Sequence, residues 1–209
     1  MTPVPFPLPG PLPDRLETVV ERLRARRFPP PAAEGASAAV AAIFRQGPRG
    51  PEVLFIERAT RDGDPWSGHI AFPGGKRDAA DAGLLDTALR ETREEVGLSL
   101  DPSSLVVRFE DFYARTNGFQ VAQFVFALAG DGAPLAPNRE VAAVLWTPLA
   151  TLARPENATT YTFSREGATL DLPAVRLGSR VLWGMTHRMT QVLLESIAGD
   201  PEAAKLRAP

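Results

Sequence analysis

Cysteine is absent from the 209 residues and histidine occurs only twice, as His69 and His187. A chain without thiols cannot build a disulfide framework, a thiolate zinc site, an iron–sulfur cluster or a cysteine nucleophile. Two histidines also exclude a histidine-rich metal centre, so any metal must be held by carboxylates. Charge of one sign is lacking as well: 23 basic against 25 acidic residues leave a formal net charge of −2. There is no broad basic field to wrap nucleic acid, and no nucleic-acid partner is expected. No apolar run approaches the roughly 18 to 20 residues that a membrane helix needs. The N-terminus has neither the basic region nor the continuous apolar stretch of a secretory signal. A cytoplasmic chain without a membrane partner is therefore expected. What is present, 44% hydrophobic and 23% charged residues, is ordinary for a globular protein. At roughly 150 residues per domain this length gives one domain with appendages, able to bury about 70% of its chain surface.

Proline is the residue in excess, 21 of 209, which is roughly twice ordinary usage. Nine lie within the first 31 residues, six of them alternating from Pro3 to Pro13 and three in Pro29-Pro30-Pro31. Alternate prolines fix φ and remove backbone donors, which favours extended polyproline II and excludes a central strand. Three segments are expected: an arm over 1–31 with a short helix, a domain over 32–199, and a tail over 200–209. Asp14 is expected to cap the arm's helix, which runs to about Arg27 with Leu16, Val19, Val20 and Leu23 on its apolar stripe. The apolar Phe6, Leu8 and Leu12 have two places to pack, their own domain or a second subunit in a homodimer.

Within the domain, Ala36–Phe44 and Val53–Arg58 are apolar, β-branched runs joined by the turn residues Gln46 to Glu52, which predicts a hairpin. The Gly/Pro-rich stretch from Asp62 to Gly75 is expected to be loop, with one short strand at His69–Phe72. A helix follows from about Asp86 to Val96, with Leu85, Ala88, Leu89, Thr92 and Val96 on one face and Gly97 as its terminator. Val106–Tyr113, Gln120–Ala129 and Val144–Trp146 are the next strand candidates, separated by the turn signals Asn117-Gly118 and Gly130-Asp131-Gly132. A last helix is expected over about Arg180–Ala198. Strands and helices mix without regular alternation, which argues for α+β rather than a doubly wound sheet.

Chemistry concentrates in Arg90-Glu91-Thr92-Arg93-Glu94-Glu95-Val96-Gly97-Leu98. On a helix, Glu91 lies three positions from Glu94 and four from Glu95, so three carboxylates share one side and repel. A hard divalent cation relieves that repulsion, since Mg²⁺ and Mn²⁺ take oxygen ligands and leave water positions for phosphate. The plainer reading is a solvated face with Arg90 and Arg93 interleaved for salt bridges. Upstream, Phe72-Pro73-Gly74-Gly75-Lys76 ends a strand on glycines that permit close backbone approach. Asp81 follows Gly75 after five residues, and Arg90 follows Asp81 after eight. This whole pattern resembles the signature of the Nudix hydrolases, matching at Gly75, Arg90, Glu91, Glu94, Glu95, Gly97 and Leu98. It departs by Asp81 in place of glutamate, by one extra residue before Arg90, and by Thr92 at an aliphatic position.

The resemblance implies a Nudix-type α/β/α sandwich with a mixed β-sheet, and hydrolysis of a nucleoside diphosphate linked to another moiety. It implies Mg²⁺ or Mn²⁺ as cofactor and a small-molecule nucleotide as substrate. Glu91, Glu94 and Glu95, with Gly75 in the loop, are then the metal-site candidates. Glu94, Glu95, Arg90 and Glu140 are the catalytic candidates, Arg90 as an orienting group and Glu140, before the strand at Leu145-Trp146, as auxiliary ligand or base; a simple loop charge is the alternative for Glu140. The segments Leu54–Ala59 and Gly68–Gly75, with Val181–Thr186, are similar to the coenzyme A pyrophosphatase branch of the family. That branch places a second arginine nearer to Gly68 than Arg61 stands, with Asp64 in the expected position, so Arg61 and Lys76 are the cations left for a 3′-phosphate. Arg58, Arg61, Trp66, Gly74 and Lys76 are the substrate-binding candidates, Trp66 through stacking on a base or as a loop anchor. Coenzyme A or an acyl-coenzyme A, cleaved to 3′,5′-ADP and 4′-phosphopantetheine or its acyl form, is the leading substrate. Another nucleoside diphosphate derivative and a non-catalytic nucleotide-sensing module are the alternatives. His69 beside the glycine loop, and His187 and Trp183 near the last helix, have structural readings as hydrogen-bonding or packing residues.

Overall fold

Ala38 to Phe44 and Val53 to Ile56 run without a polar interruption, and a strand with no polar side must be covered on both faces. The computed structural model describes residues 10–26, 36–63, 66–113, 120–130, 134–165 and 168–198. Expectations for Phe6, Leu8, Pro29 to Pro31, Asp64, Pro65, the Asn117-Gly118 turn, Asp131-Gly132 and the tail fall outside those residues. In chain order, helix α1 (Leu16–Ala25) precedes strands β1 (Ala38–Gly47), β2 (Gly50–Arg58), β3 (Ile70–Ala71) and β4 (Gly74–Lys76). Helix α2 (Leu84–Val96) leads to strands β5 (Leu105–Arg108), β6 (Phe112–Tyr113), β7 (Gln120–Ala127) and β8 (Val141–Pro148). The short α3 (Leu149–Leu152), strands β9 (Ala158–Arg165), β10 (Ala168–Leu177) and β11 (Arg180–Trp183), and helix α4 (Gly184–Ala198) complete the order.

The first eight strands form one mixed sheet, β3-β2-β1-β7-β5, with β4 beside β1, β6 beside β7 and β8 beside β2. Side chains alternate strictly between its faces. Ala38, Ala42, Phe44, Val53, Phe55, Val121 and Val125 face α1 and α4, meeting Val19, Leu23, Met189, Leu193 and Ile197. Ala39, Ala41, Ile43, Leu54, Ile56, Phe124 and Phe126 face α2, meeting Ala88 and Val96. The result is the expected sandwich about a mixed sheet, with each buried large side chain contributing roughly 1.5 to 3 kcal/mol. The helix of the arm belongs to this core, since Val19 and Leu23 are fully buried, and Leu12 packs against the same cluster.

One pairing positions the site. β1 pairs with β2 over Phe44–Gly47 and, nearer its start, antiparallel with β4, where Ala39 faces Gly75 and Val40 faces Gly74. On its other side β1 runs parallel to β7. A parallel pair needs a crossover, and the connection carries α2 and the glycine loop back across one face.

Three expectations are corrected. Asp14 does not cap α1: the N-cap is Arg15, without a side-chain cap, and the Leu16 N–H donates instead to Gln46 Oε1 on β1 at 2.8 Å. The last helix starts at Gly184 rather than near Arg180. Arg180–Trp183 is a strand paired with β10 from Leu177↔Arg180 to Ala174↔Trp183, and Gly184, at φ 67°, turns the chain out of it. That strand completes a three-stranded sheet, β11-β10-β9, whose strands β9 and β10 lie where the sequence pattern predicts no element. Arg180 Nε donates to Glu57 Oε2 at 2.7 Å, fastening this sheet to β2. Among the described residues no helix is long and apolar enough to cross a membrane.

Candidate active site

Helix α2 carries the carboxylates because its ends and inner face are secured by other residues. Asp86 accepts the Gly83 N–H at 3.1 Å at the start, and Gly97 adopts φ 72° at the end, the left-handed conformation that favours glycine. Thr92, at the position where the family pattern has an aliphatic residue, is fully buried and donates its hydroxyl to the Ala88 carbonyl at 2.7 Å. Its polar atom is thereby satisfied within the helix, leaving the methyl to pack.

Glu95 is 4% exposed, and its Oε2 accepts the Gly74 N–H at 2.9 Å. Burial pushes its carboxyl up to about 7; the Gly74 bond and Arg58 oppose the rise, and the charges of Glu91 and Glu140 add to it. Burial likewise raises Glu91, against the pull of Arg90. The loop packs this closely on β1 and on Glu91 only through its glycines. Gly74 sits at φ 152°, and a Cβ added there would run into the Ala39 carbonyl and the Val40 Cα of β1. A Cβ on Gly75 would fall 2.6 Å from both Cδ and Oε1 of Glu91.

Arg90 organises the surroundings. Its Nε and Nη2 donate to Asp81 Oδ1 and Oδ2, each at 3.0 Å, in the bidentate geometry that suits a guanidinium and a carboxylate. Nη2 also donates to the Lys76 carbonyl at 3.1 Å. Nη1 reaches Glu91 Oε1 at 2.9 Å and Glu94 Oε2 at 3.0 Å. Asp81 accepts further hydrogen bonds from the Asp78 N–H and the Thr87 hydroxyl, both at 2.9 Å. The Arg90 guanidinium, with these donors, holds its carboxyl well below the usual carboxylate range. Asp81 is therefore the anchor that ties the loop after β4 to α2, a role missed in reading the sequence. Its position five residues after Gly75 was the available signal.

The remaining candidates fall into two groups. Glu140 stands beside the acidic cluster: its charge acts on both Glu91 and Glu95, and its carboxylate accepts from Arg61 Nη2 at 2.7 Å. The segment preceding it docks on the end of α2, with the Asn138 N–H donating to the Glu95 carbonyl at 2.9 Å. Arg58, at a bulge between β2 and β8, lies close enough to Glu95 to oppose its rise. The side chain of Lys76 is exposed at the end of β4. Trp66, 39% exposed, belongs to a ring cluster. It lies 5.7 Å from His69 and 6.5 Å from Trp183, and Trp183 stacks on Tyr161 at 4.0 Å. His187 is buried in α4, and burial lowers it to about 4.

The acids do not form a finished cage. Glu94 is half exposed and turned to Arg90, and among the described residues no three acidic or histidine side chains enclose one ion position. By type, the donors suit a hard cation: oxygen ligands only, set against the glycine loop, with burial first and neighbouring carboxylate charge second raising Glu91 and Glu95.

Comparison with known proteins fits this arrangement. The chain matches the NUDIX domain over residues 35–166. It is 36% identical over 199 residues to the mitochondrial coenzyme A diphosphatase NUDT8 of Homo sapiens, covering 90% of this chain and 82% of that protein. It is 30% identical over 132 residues to the uncharacterized Nudix hydrolase NudL of Yersinia enterocolitica, covering 63% of this chain and 67% of the relative. Among solved structures, a MutT/nudix family protein from Enterococcus faecalis shares the fold at TM-score 0.52 and 18% identity, over 87% of this chain and 67% of its own. A glycine loop packed on an acidic helix, in a chain matched to that domain over 35–166, places this protein in the Nudix hydrolase family.

Proposed function

We propose that the chain is a divalent-metal-dependent diphosphatase acting on coenzyme A or acyl-coenzyme A, releasing 3′,5′-ADP and 4′-phosphopantetheine or its acyl form. The observation that carries the reading is the fit of the glycine loop against Glu95 and Glu91: the Gly74 N–H donates to Glu95, and a Cβ on Gly75 would displace the Glu91 carboxylate. The similarity to a coenzyme A diphosphatase over 90% of the chain supports the choice of substrate.

Glu91 and Glu95, with Glu94 and the Gly75 backbone, are the groups that would hold Mg²⁺ or Mn²⁺. Such an ion supplies charge neutralisation on the diphosphate and a more acidic bound water. Arg90 acts on the carboxylates and not on substrate, since its partners are Asp81, Glu91, Glu94 and the Lys76 carbonyl. Glu140, whose charge reaches Glu91 and Glu95, serves as auxiliary ligand or base towards the attacking water. Arg58, Arg61 and Lys76 are the cations for the substrate's phosphates, and the partly exposed Trp66 ring offers the adenine a stacking surface. Water attacks phosphorus directly, with no covalent enzyme intermediate.

Coenzyme A, dephospho-coenzyme A, a dinucleotide and a nucleoside diphosphate sugar, each incubated with Mg²⁺ and analysed by mass spectrometry, test the reading. Preferred cleavage of coenzyme A supports it. Preference for another member moves the substrate within the family, and binding without product makes the chain a sensor.

A further inference from the structure

The contact between Arg61 and Glu140 joins the loop after β2 to the loop before β8. Both backbones are fixed. The Arg61 N–H donates to Ser67 Oγ at 2.9 Å and its carbonyl accepts from the same hydroxyl at 3.1 Å. The Glu140 N–H donates to Asn138 Oδ1 at 2.8 Å, and its carbonyl accepts the Ala59 N–H at 2.8 Å. Only the side chains are left to move, and at 43% and 45% exposure they make a pair of the kind that water readily competes with. Glu140 also faces two carboxylates, Glu91 and Glu95, whose proton affinity its charge raises. An acid so placed is held near the cluster by Arg61, with one of its oxygens occupied by the guanidinium.

We propose that Arg61 exchanges partners during the reaction: it holds Glu140 in the free enzyme and transfers to a phosphate of the bound substrate, which releases the Glu140 carboxylate beside Glu91 and Glu95. The guanidinium suits both partners, since carboxylate and phosphate present the same paired acceptor oxygens. Substrate binding and the arming of Glu140 thereby become one event. Arg61 is a substrate-binding residue in one state and a positioning residue for Glu140 in the other. The inference rests on the reading of the site as a diphosphatase but not on the identity of the nucleoside.

A double-mutant cycle tests it, with methylenediphosphonate as the probe because it carries the diphosphate charges and is not hydrolysed. Binding to the full chain in Mg²⁺ buffer is measured by calorimetry for wild type, Arg61→Ala, Glu140→Ala and the double variant. Arg61→Ala is expected to weaken binding about tenfold or more, the size of a lost charge-assisted hydrogen bond. Glu140→Ala is expected to tighten it, by up to about fivefold, because Arg61 no longer leaves an ion pair to reach the probe. In the Arg61→Ala background, Glu140→Ala is expected to have no such effect. Failure of wild type to bind, unchanged or weaker binding in Glu140→Ala, or tightening that persists without Arg61 overturns the proposal. Separately, kinetics with coenzyme A report on the substrate: if that compound is not cleaved while the cycle behaves as described, the substrate assignment fails and the exchange stands.

Discussion

Replacing Gly75 with alanine separates the fold from the chemistry. The added Cβ would lie 2.6 Å from the carboxyl carbon and one oxygen of Glu91, where ordinary contact begins at 3.4 Å, so the carboxylate must retreat by about 0.8 Å (3.4 − 2.6). Gly75 does not have a left-handed φ, and the atoms in the way are the end of a flexible side chain. The fold should therefore lose little, within the roughly 1 kcal/mol expected of a substitution that empties and buries nothing. Activity should lose much more, since a misplacement near 1 Å at a reacting centre costs about 100-fold. The assay is hydrolysis rate as a function of Mg²⁺ concentration, beside thermal melting of the same preparation. A loss of turnover and of Mg²⁺ affinity with a near-native melting temperature is expected. A rate close to wild type at saturating Mg²⁺, or collapse of the folded state, refutes the claim that this glycine exists to seat Glu91.

Other consequences follow from the same contacts. Glu95 has a folded value near 7 against 4.5 when exposed, so its ionisation costs stability progressively as pH rises between those values and fully above 7, roughly 3 kcal/mol by linkage. Glu95→Gln keeps the shape and an acceptor for the Gly74 N–H. Without metal it should melt higher than wild type at pH 8, with the difference vanishing near pH 4, and its turnover should fall by orders of magnitude; equal melting curves at pH 8 count against a buried charge. Arg90→Gln should lower both stability and turnover because it releases Asp81, Glu91 and Glu94 together, whereas a purely kinetic effect in calorimetry and rate assays would deny Arg90 its role as an anchor. Dephospho-coenzyme A should show a lower kcat/KM than coenzyme A, and equal or better cleavage would remove the 3′-phosphate contact. Trp66→Ala should raise KM more than it lowers kcat, with the reverse split pointing to a structural role for the ring cluster.

Much of this was legible in order of residues alone, and for physical reasons. The β1–β2 hairpin announced itself through two apolar runs about a turn, and α2 through its period and the Gly97 terminator, because in both cases local pattern and tertiary burial agree. The β9–β11 sheet did not. Its strands carry threonines, Pro173 and half-exposed faces, so alternation is weak, although Gly178-Ser179 was a usable hairpin signal. The apolar Val181-Leu182-Trp183 fits a helical stripe as well as a strand end, and only the positive φ at Gly184 decides between them. At the site, spacing along α2 put Glu91, Glu94 and Glu95 on one side, and Arg90 within reach of Glu94. It could not show Arg90 clamped on Asp81, since that bond crosses from loop to helix. Nor could it show Glu140 latched by Arg61, for that depends on how loops from distant strands meet.

The central claim is that these residues hydrolyse the diphosphate of coenzyme A. The most direct measurement is the mass of the products formed when the full chain is incubated with coenzyme A and Mg²⁺, with Glu95→Gln alongside. Equal amounts of 3′,5′-ADP and 4′-phosphopantetheine from wild type, and neither from the variant, are predicted. Intact coenzyme A, or products that persist unchanged in Glu95→Gln, would contradict the account.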